Sequence, residues 1–403
     1  MMMKYILLAT VVTLSLALSS CMFIGAGQQA PVQLVWHIKD YGISDPYFAY
    51  DSENNTLFIR GDDAATAAVM AVNFLDKKIL WKKTYPSQGD NAQKIDVYDG
   101  KVYILEDRIL SPKTIPGLVA LDEKTGEQIW KLPFEKTGVY NGFTLYNGYI
   151  YTFGGGYYES TYIYKVDAET GKVVWKVPIE GAFDMTPVID KEYGYVDFGT
   201  SIDPDDGKDP RYFYALDINS GNVVWKTAIQ PHGWTDNFNS VPAISGDSVY
   251  CGTWFGKVVR LNRKNGKMIW QRRLIDPRDG SAFDLGGGGK LYVYDNKLEM
   301  VLTSGIILAL NTSDGSVAWE KDVSSSIYAL NDMYLHDGRI YVHGWGPNIG
   351  CFSAENGDKL WIYTPPYTPG EEARTVGAPM VIGNYLVDGN CGGDLYVMKL
   401  EEQ

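Results

Sequence analysis

The amino-acid sequence predicts an all-β chain folded as an eight-bladed β-propeller of four-stranded antiparallel blades, with the last blade closed by the N-terminal strand. Three observations lead to this prediction. A tryptophan recurs eight times at intervals of 42 to 50 residues. A similar turn-forming segment precedes most of these tryptophans, and the first and last copies are incomplete in complementary ways. Repeats of this length, built from short strands, are typical of propeller blades.

The recurring tryptophans set the period of the repeat. Successive copies are separated by 45, 49, 45, 50, 45, 49 and 42 residues. A large flat ring at a fixed place in each repeat is a side chain that buries much apolar surface. We therefore interpret these residues as structural, and not as a binding site: Trp36, Trp81, Trp130, Trp175, Trp225, Trp270, Trp319 and Trp361.

The segment before each tryptophan predicts a β-hairpin. In one of the clearest copies, Ala120-Leu-Asp leads through Gly126 to Trp130. The aspartate side chain can bond the backbone two residues later and start a turn, and the glycine supplies the positive φ that the turn needs. The copy before Trp81 keeps the spacing but has Lys77 in the place of the glycine. Two further strand-like runs precede the hairpin, which gives four strands per repeat.

The two ends of the chain complete one blade between them. Trp36 has no hairpin partner before it, and the run Leu395–Leu400 has no tryptophan after it. We therefore expect the strand around Trp36 to pair with the strands of residues 375–400. Such pairing removes the free edges of an open ring.

The N-terminus predicts export and lipid attachment. Lys4 precedes an apolar run that ends in Leu18-Ser-Ser-Cys21, which is typical of a bacterial lipoprotein signal. We expect Cys21 to carry the lipid, palmitate included, and Met22 after it favours the outer membrane, with the protein facing the periplasm. An ordinary signal peptide followed by a chance cysteine is the alternative. The predicted divisions are a signal peptide over 1–20, an anchored linker over 21–32 and the propeller over 33–403.

Composition and charge narrow the range of partners. The chain has 36 basic and 49 acidic residues, and its net charge of −13 disfavours nucleic acid and anionic lipid as partners. A monomeric propeller is expected.

Besides Cys21 there are three cysteines, and either a Cys351–Cys391 disulfide or unpaired buried thiols, Cys251 included, would fit.

The pattern Ala-x-Asp-x-x-x-Gly-x-x-x-Trp resembles the tryptophan-docking motif of propellers of the pyrroloquinoline-quinone type, over nearly all of residues 33–400. One branch of that fold is the quinone-dependent dehydrogenases. Its members are usually longer, and the alcohol-oxidising ones commonly have an adjacent Cys-Cys pair beside the quinone. This chain has no Cys-Cys pair. A quinone dehydrogenase is therefore the less favoured alternative, and a carbohydrate-binding propeller is a further one.

The other branch is the BamB-type lipoprotein propellers of the outer-membrane β-barrel assembly machine. These also combine a lipoprotein signal with eight blades in a chain of about this length. The resemblance implies a non-catalytic scaffold with protein partners, no catalytic residues and no cofactor. The partner-contacting loop of well-known members contains a Leu-Arg segment that has no convincing counterpart here. Their partner-contact residues are therefore not transferred to this chain.

Strand alternation predicts which loops share a face of the propeller. The loops between second and third strands and those between blades are long and varied, whereas the remaining turns are short. Functional residues tend to lie in loops of the first kind. Three tryptophans outside the repeat fall in these loops, and the alternative is that they only cover the mouth of the channel. The candidate binding residues are Trp234, Trp254, Trp345, His232, His343, Tyr157 and Tyr158.

Metal binding has weak support in the sequence. Asp203, Asp205 and Asp209 could offer alternating oxygen ligands to calcium, but Gly207 is one place too early for an EF-hand loop. A solvated acidic turn is the alternative interpretation of this segment. The four histidines have no partners at metal-ligand spacing, so no other metal site is predicted.

Overall fold

The computed structural model describes residues 32–39, 41–63, 66–85, 94–106, 115–134, 142–155, 161–181, 185–200, 210–232, 236–276, 278–281, 285, 289–328, 330, 332–367, 375 and 377–401. The predicted signal peptide, Cys21 and nearly all of the linker lie outside these residues and stay predictions. No helix that could cross a membrane occurs in the described part of the chain.

The described residues form eight four-stranded antiparallel sheets, which we call blades I to VIII. The predicted all-β, eight-bladed fold is confirmed. Blades I to IV contain β2 (Ser44–Asp51), β3 (Thr56–Asp63), β4 (Thr66–Asn73) and β5 (Lys78–Tyr85); β6 (Ile95–Tyr98), β7 (Lys101–Glu106), β8 (Gly117–Asp122) and β9 (Gln128–Pro133); β10 (Phe143–Tyr146), β11 (Tyr149–Gly155), β12 (Thr161–Asp167) and β13 (Val173–Ile179); β14 (Val188–Asp190), β15 (Tyr195–Gly199), β16 (Arg211–Asp217) and β17 (Val223–Ile229).

Blades V to VII follow the same order, and blade VIII takes its fourth strand from the N-terminus. They contain β18 (Ala243–Ser245), β19 (Ser248–Gly252), β20 (Lys257–Asn262) and β21 (Met268–Arg273); β22 (Tyr292–Tyr294), β23 (Lys297–Leu302), β24 (Ile306–Asn311) and β25 (Val317–Asp322); β26 (Met333–His336), β27 (Arg339–His343), β28 (Ile349–Ser353) and β29 (Lys359–Tyr363); and β30 (Met380–Ile382), β31 (Tyr385–Gly389), β32 (Leu395–Leu400) and β1 (Val32–Ile38).

The first strand of each blade is the innermost one. First strands of neighbouring blades contact one another, as β2 with β6 and β18 with β22 do. The loops between second and third strands therefore share one face with the connections between blades. We call this face the loop-rich face. The opposite, turn-rich face carries tight hairpins such as Asp99-Gly100, whose φ values of 49° and 72° fit a two-residue turn.

The repeat tryptophans join neighbouring blades. The Trp130 indole N–H donates to the Ala168 carbonyl of blade III at 3.2 Å. Trp81, Trp175, Trp225 and Trp270 make the equivalent bond to the blade that follows each of them. Within its own blade, each repeat tryptophan pairs with the residue at the alanine position of the motif, as Trp130 does with Ala120. The tryptophans are therefore structural, and the apolar cores lie between adjacent blades, as the cluster shared by Tyr103 and Phe143 illustrates.

The N-terminal strand closes the ring, which confirms the predicted closure. β1 pairs antiparallel with β32, from Val32 opposite Leu400 to Ile38 opposite Leu395. His37 Nε2 lies 3.1 Å from a carboxylate oxygen of Asp394. β1 therefore begins at the turn-rich end of blade VIII.

Candidate functional site

Exposed aromatic side chains mark the loop-rich face on blades V to VII. Trp254 lies in the loop after β19 and is 38% exposed, and Trp345 lies in the loop after β27 and is 48% exposed. Tyr328, between blades VI and VII, is 58% exposed and was not expected from the sequence. Trp234, Tyr157 and Tyr158 lie outside the described residues, so their places on this face stay predictions.

Tyr328 and Trp345 form one unit, which we call the aromatic pair. Their ring centroids are 6.3 Å apart and the rings meet edge to face at 81°. Their backbones form an antiparallel β-bridge, in which the Trp345 N–H donates to the Tyr328 carbonyl at 2.6 Å. Edge-to-face contact is a favoured geometry for two aromatic rings. The pair therefore presents two aromatic side chains on a common backbone support.

Further hydrogen bonds hold the loops beneath the aromatic pair. The Asn348 side-chain amide donates to the Ser326 carbonyl at 2.8 Å, and the Thr364 hydroxyl donates to the Asn348 side-chain oxygen at 2.7 Å. On the other side, the Thr375 N–H donates to the Gly344 carbonyl at 3.2 Å. The backbone of the loop after β27 is therefore tied to the connections on both sides of blade VII.

His343 is the last residue of β27, and the structure buries it beneath the loop-rich face. Its side chain is 2% exposed, and Nδ1 lies 2.6 Å from Oδ2 of Asp388 in β31. Nε2 lies 2.9 Å from the Gly346 carbonyl. The sequence placed His343 among the candidates on the loop-rich face and also allowed a polar residue that ends a strand. Its burial could not be predicted, because its partner Asp388 lies 45 residues further along the chain and in another blade.

The region around Trp254 is organised by a buried carboxylate. Asp236 is 0% exposed and accepts hydrogen bonds from the backbone N–H groups of His232 and Phe255, at 2.7 and 3.0 Å. The Trp254 N–H donates to the Asn237 carbonyl at 2.8 Å. Asp236 therefore links His232 to the Trp254 loop, although nothing in the sequence pattern singled it out.

Two other buried acids lie inside the blades. Asp197 and Glu299 are both 0% exposed, and no hydrogen-bond donor reaches their carboxyl oxygens within the described part of the chain. Burial raises the pKa of Glu299 to about 8. Burial, and then the nearby charge of Asp190, raise the pKa of Asp197 well above its usual value. Glu299 is therefore mostly neutral at neutral pH, and burial shifts the pKa of Asp197 in the same direction.

These acids occupy a repeat position that is aromatic in most other blades. Asp197 and Glu299 pair with Ala215 and Ala309, the alanine positions of their motifs. The equivalent residues of five other blades are Phe58, Tyr103, Tyr151, Tyr250 and Tyr341. Aligning the second strands of the repeats is the signal that would have revealed the acids.

The cysteines do not provide the adjacent pair that is common in quinone-dependent alcohol dehydrogenases. Cys251, Cys351 and Cys391 form no disulfide, and the first two are buried in blades V and VII. The Cys351–Cys391 disulfide that the sequence left open is not formed in the structure. The chain's residues therefore do not fit this part of a quinone site.

Metal ligands are likewise not clustered in the described ranges, which contain no group of three or more His, Cys, Asp or Glu side chains placed to hold an ion. Asp203, Asp205 and Asp209 lie outside those ranges. Calcium binding by that segment stays a prediction.

The ring of eight sheets, joined by docking tryptophans, defines the class of this protein as a β-propeller of the pyrroloquinoline-quinone-like repeat type. Within that class the chain belongs to the family described as outer membrane protein assembly factor BamB, whose model matches residues 116–288 and 280–402.

Two curated relatives represent both branches of the class. The outer membrane protein assembly factor BamB of Yersinia pestis is 25% identical over 165 residues, which cover 40% of this chain and 40% of that protein. The quinoprotein alcohol dehydrogenase PedH of Pseudomonas putida is 29% identical over 155 residues, or 37% of this chain and 23% of the enzyme. The matched region thus spans less than half of either relative.

Solved structures show the same fold at low identity. BamB from Moraxella catarrhalis superposes with a TM-score of 0.66 at 15% identity, covering 91% of this chain and 99% of that one. The quinohemoprotein alcohol dehydrogenase of Comamonas testosteroni gives 0.69 at 14% identity, covering 93% and 77%. At these identities the likeness concerns the fold alone.

Proposed function

We propose that this protein is a non-catalytic, lipid-anchored scaffold of the cell envelope that binds a protein partner through its loop-rich face during outer-membrane β-barrel assembly. The observation that carries the proposal is the aromatic pair, two exposed rings on a backbone fixed by hydrogen bonds. Aromatic side chains dominate the binding energy of many protein interfaces, and a rigid support reduces the entropy that binding costs.

Family membership supports the assembly role, because related proteins carry the name outer membrane protein assembly factor. The partner is therefore sought in the barrel assembly machine. In this proposal the signal peptide is removed and Cys21 carries the lipid anchor. The anchor holds the protein at the outer membrane, where the propeller faces the periplasm.

The direction of β1 supports the use of the loop-rich face. Val32 starts β1 at the turn-rich end of blade VIII, where it pairs with Leu400. Ten residues lie between Cys21 and Val32, and random-coil statistics for ten residues give a root-mean-square span of about 17 Å. β1 itself spans about 23 Å at 3.3 Å per residue. The tether therefore favours a turn-rich face near the bilayer and a loop-rich face directed away from it.

The experiment compares partner capture by the wild-type lipoprotein and by a Tyr328→Ala/Trp345→Ala variant, each purified from membranes of the source organism. We expect the wild type to recover a barrel-assembly subunit, and the variant to bind it at least about tenfold more weakly, since truncating central aromatic residues commonly costs 2 kcal/mol or more. Val224→Ala is the matched control, because Val224 is also exposed but lies on the outer strand of blade IV. Failure of the wild type to recover any such subunit contradicts the assembly role.

The quinoprotein relative favours a second candidate, an oxidoreductase of the quinone type. The missing adjacent cysteines count against it. The test adds pyrroloquinoline quinone, calcium and a primary alcohol to the purified protein with a dye as electron acceptor. We expect no dye reduction above the level of protein without quinone. Sustained quinone-dependent reduction reverses the order of the two candidates.

A further inference from the structure

The buried pair formed by His343 and Asp388 lies at the end of β27, where His343 precedes the exposed Trp345 by two residues. We propose that this pair positions Trp345, so that the interface between blades VII and VIII sets the geometry of the aromatic pair on the loop-rich face. His343 and Asp388 are then positioning residues that do not touch the partner. The importance of Trp345 for binding rests on the proposed function, whereas its positioning by His343 does not.

The hydrogen bonds of His343 define where its protons lie. The Gly346 carbonyl can only accept, so Nε2 of His343 carries a hydrogen and donates it at 2.9 Å. Nδ1 lies 2.6 Å from Oδ2 of Asp388, which is an ion-pair contact between the two side chains. The imidazole therefore contacts blade VIII through one nitrogen and the loop that contains Trp345 through the other.

The bond to Gly346 closes a short turn around Trp345. The chain runs His343-Gly-Trp-Gly346, and Gly346 adopts a φ of 131°, which L-residues with side chains rarely adopt. The His343 ring holds the carbonyl of this glycine, and the Trp345 N–H is held by the Tyr328 carbonyl. The Trp345 backbone is thus fixed between a buried side chain and the neighbouring loop.

Blade VIII determines whether His343 can hold that position. Asp388 is 1% exposed, and the structure places the His343 ring in ion-pair contact with its carboxylate. A buried carboxylate that loses its partner is strongly unfavourable, so the pair is maintained as long as blades VII and VIII stay in contact. A change at Asp388 should therefore reach Trp345 through His343.

The test observes Trp345 directly, by fluorine NMR of the full-length protein labelled with 5-fluorotryptophan. The Trp345 signal is the one that disappears in Trp345→Phe. Two variants break the connection at different points. His343→Asn keeps an amide donor near Asp388 but removes the bond to Gly346, and Asp388→Asn removes the buried charge and keeps the volume.

We expect both variants to shift or broaden the Trp345 signal while the signals of the repeat tryptophans stay in place. Tyr103→Phe is the control, because it removes another buried bond between blades, from the Tyr103 hydroxyl to the Ala168 carbonyl at 3.1 Å. It should lower the melting temperature and perturb the signal of Trp130, whose ring lies 6.0 Å from that of Tyr103, but leave Trp345 unchanged.

An unchanged Trp345 signal in either variant, with the protein folded, overturns the positioning role. This result is independent of any partner. Capture of a barrel-assembly subunit by the same two variants is measured separately, and a weaker capture by both, with Tyr103→Phe unaffected, extends the inference to binding. If the signal moves but the Tyr328→Ala/Trp345→Ala variant still captures its partner normally, the proposed use of this surface fails and the positioning role stands.

Discussion

The indole ring of Trp225 lies against the α-carbon of Gly266 in the next blade, so closely that a β-carbon at position 266 would be 2.4 Å from a ring carbon. Trp81, Trp130, Trp175, Trp270 and Trp319 pack in the same way on the motif glycines Gly126, Gly171, Gly221, Gly315 and Gly357. The motif glycine therefore serves the turn of its own blade and also receives the tryptophan of the blade before it.

Gly266→Ala should destabilise the propeller by about 2–5 kcal/mol, because a positive φ costs an L-residue roughly 1–2 kcal/mol and a clash in a packed interface adds roughly 1–3 kcal/mol. Gly246→Ala is the matched control. Gly246 also has a positive φ, of 52°, but a β-carbon added there would have no other atom within 4 Å. Urea unfolding should therefore show a loss of only about 1–2 kcal/mol for the control. Equal losses for the two variants would mean that the tryptophan contact contributes nothing.

Glu299 should make the stability of the protein depend on pH. Its pKa is about 8 in the folded protein because of burial, against an ordinary value of 4.5. The stabilising effect of a raised pKa is fully present below pH 4.5 and is lost as the pH rises to about 8, because the unfolded chain releases the proton first. We expect Glu299→Gln to unfold at a temperature that falls less between pH 5 and pH 8 than that of the wild type.

The control for this pH dependence is Glu355→Gln, which removes an exposed carboxylate. Its melting temperature should follow the wild-type curve across the same range. Parallel curves for Glu299→Gln and the wild type would show that Glu299 does not carry the effect. Asp197 contributes in the same direction, since its pKa is also raised by burial.

The closure of the ring should fail when β32 is removed. β32 carries every register partner of β1, from Leu395 to Leu400. Deleting residues 394–403 should therefore release β1 as well and abolish cooperative unfolding. Deleting only residues 401–403, which follow β32, is the control and should leave the melting temperature nearly unchanged. A folded, cooperatively melting protein without residues 394–403 would contradict closure by β1.

The blades could be predicted from the sequence because their signals are local. An aspartate that starts a turn, a glycine that allows it and the tryptophan that follows lie within one hairpin, as in Asp122, Gly126 and Trp130. The closure was also predictable, because an incomplete copy at one end matched an incomplete copy at the other. The contact between Trp130 and Gly171 was not, because it joins two repeats and no single repeat contains both residues.

The candidate site was predictable only in part, for the same physical reason. The face of the loops containing Trp254 and Trp345 follows from strand alternation, and both residues are exposed there. The burial of His343 depends on Asp388, which belongs to another blade. Tyr328 could not be found by searching for tryptophans outside the repeat. It belongs to the aromatic pair only because its loop forms a β-bridge with the loop of Trp345.

The ion pair between Arg263 and Asp190 should hold blades IV and V together. The Arg263 side chain is 5% exposed, Asp190 is 0% exposed, and Nε donates to Asp190 Oδ2 at 2.6 Å while Nη2 donates to the other oxygen. Removing one partner of such a pair leaves a buried charge uncompensated, which typically costs about 3–5 kcal/mol. Arg263→Met should destabilise the protein by this amount in urea unfolding.

Adding Asp190→Asn to Arg263→Met should recover part of the loss, because the second substitution removes the uncompensated charge. Lys321→Met provides the control for an exposed pair: Lys321 lies 2.9 Å from Asp358, and the two side chains are 40% and 62% exposed. Its cost should be below about 1 kcal/mol, as is usual for ion pairs in water. If the double variant loses as much stability as the sum of the losses of Arg263→Met and Asp190→Asn, the two buried charges are not coupled and the ion pair does not hold the blades together.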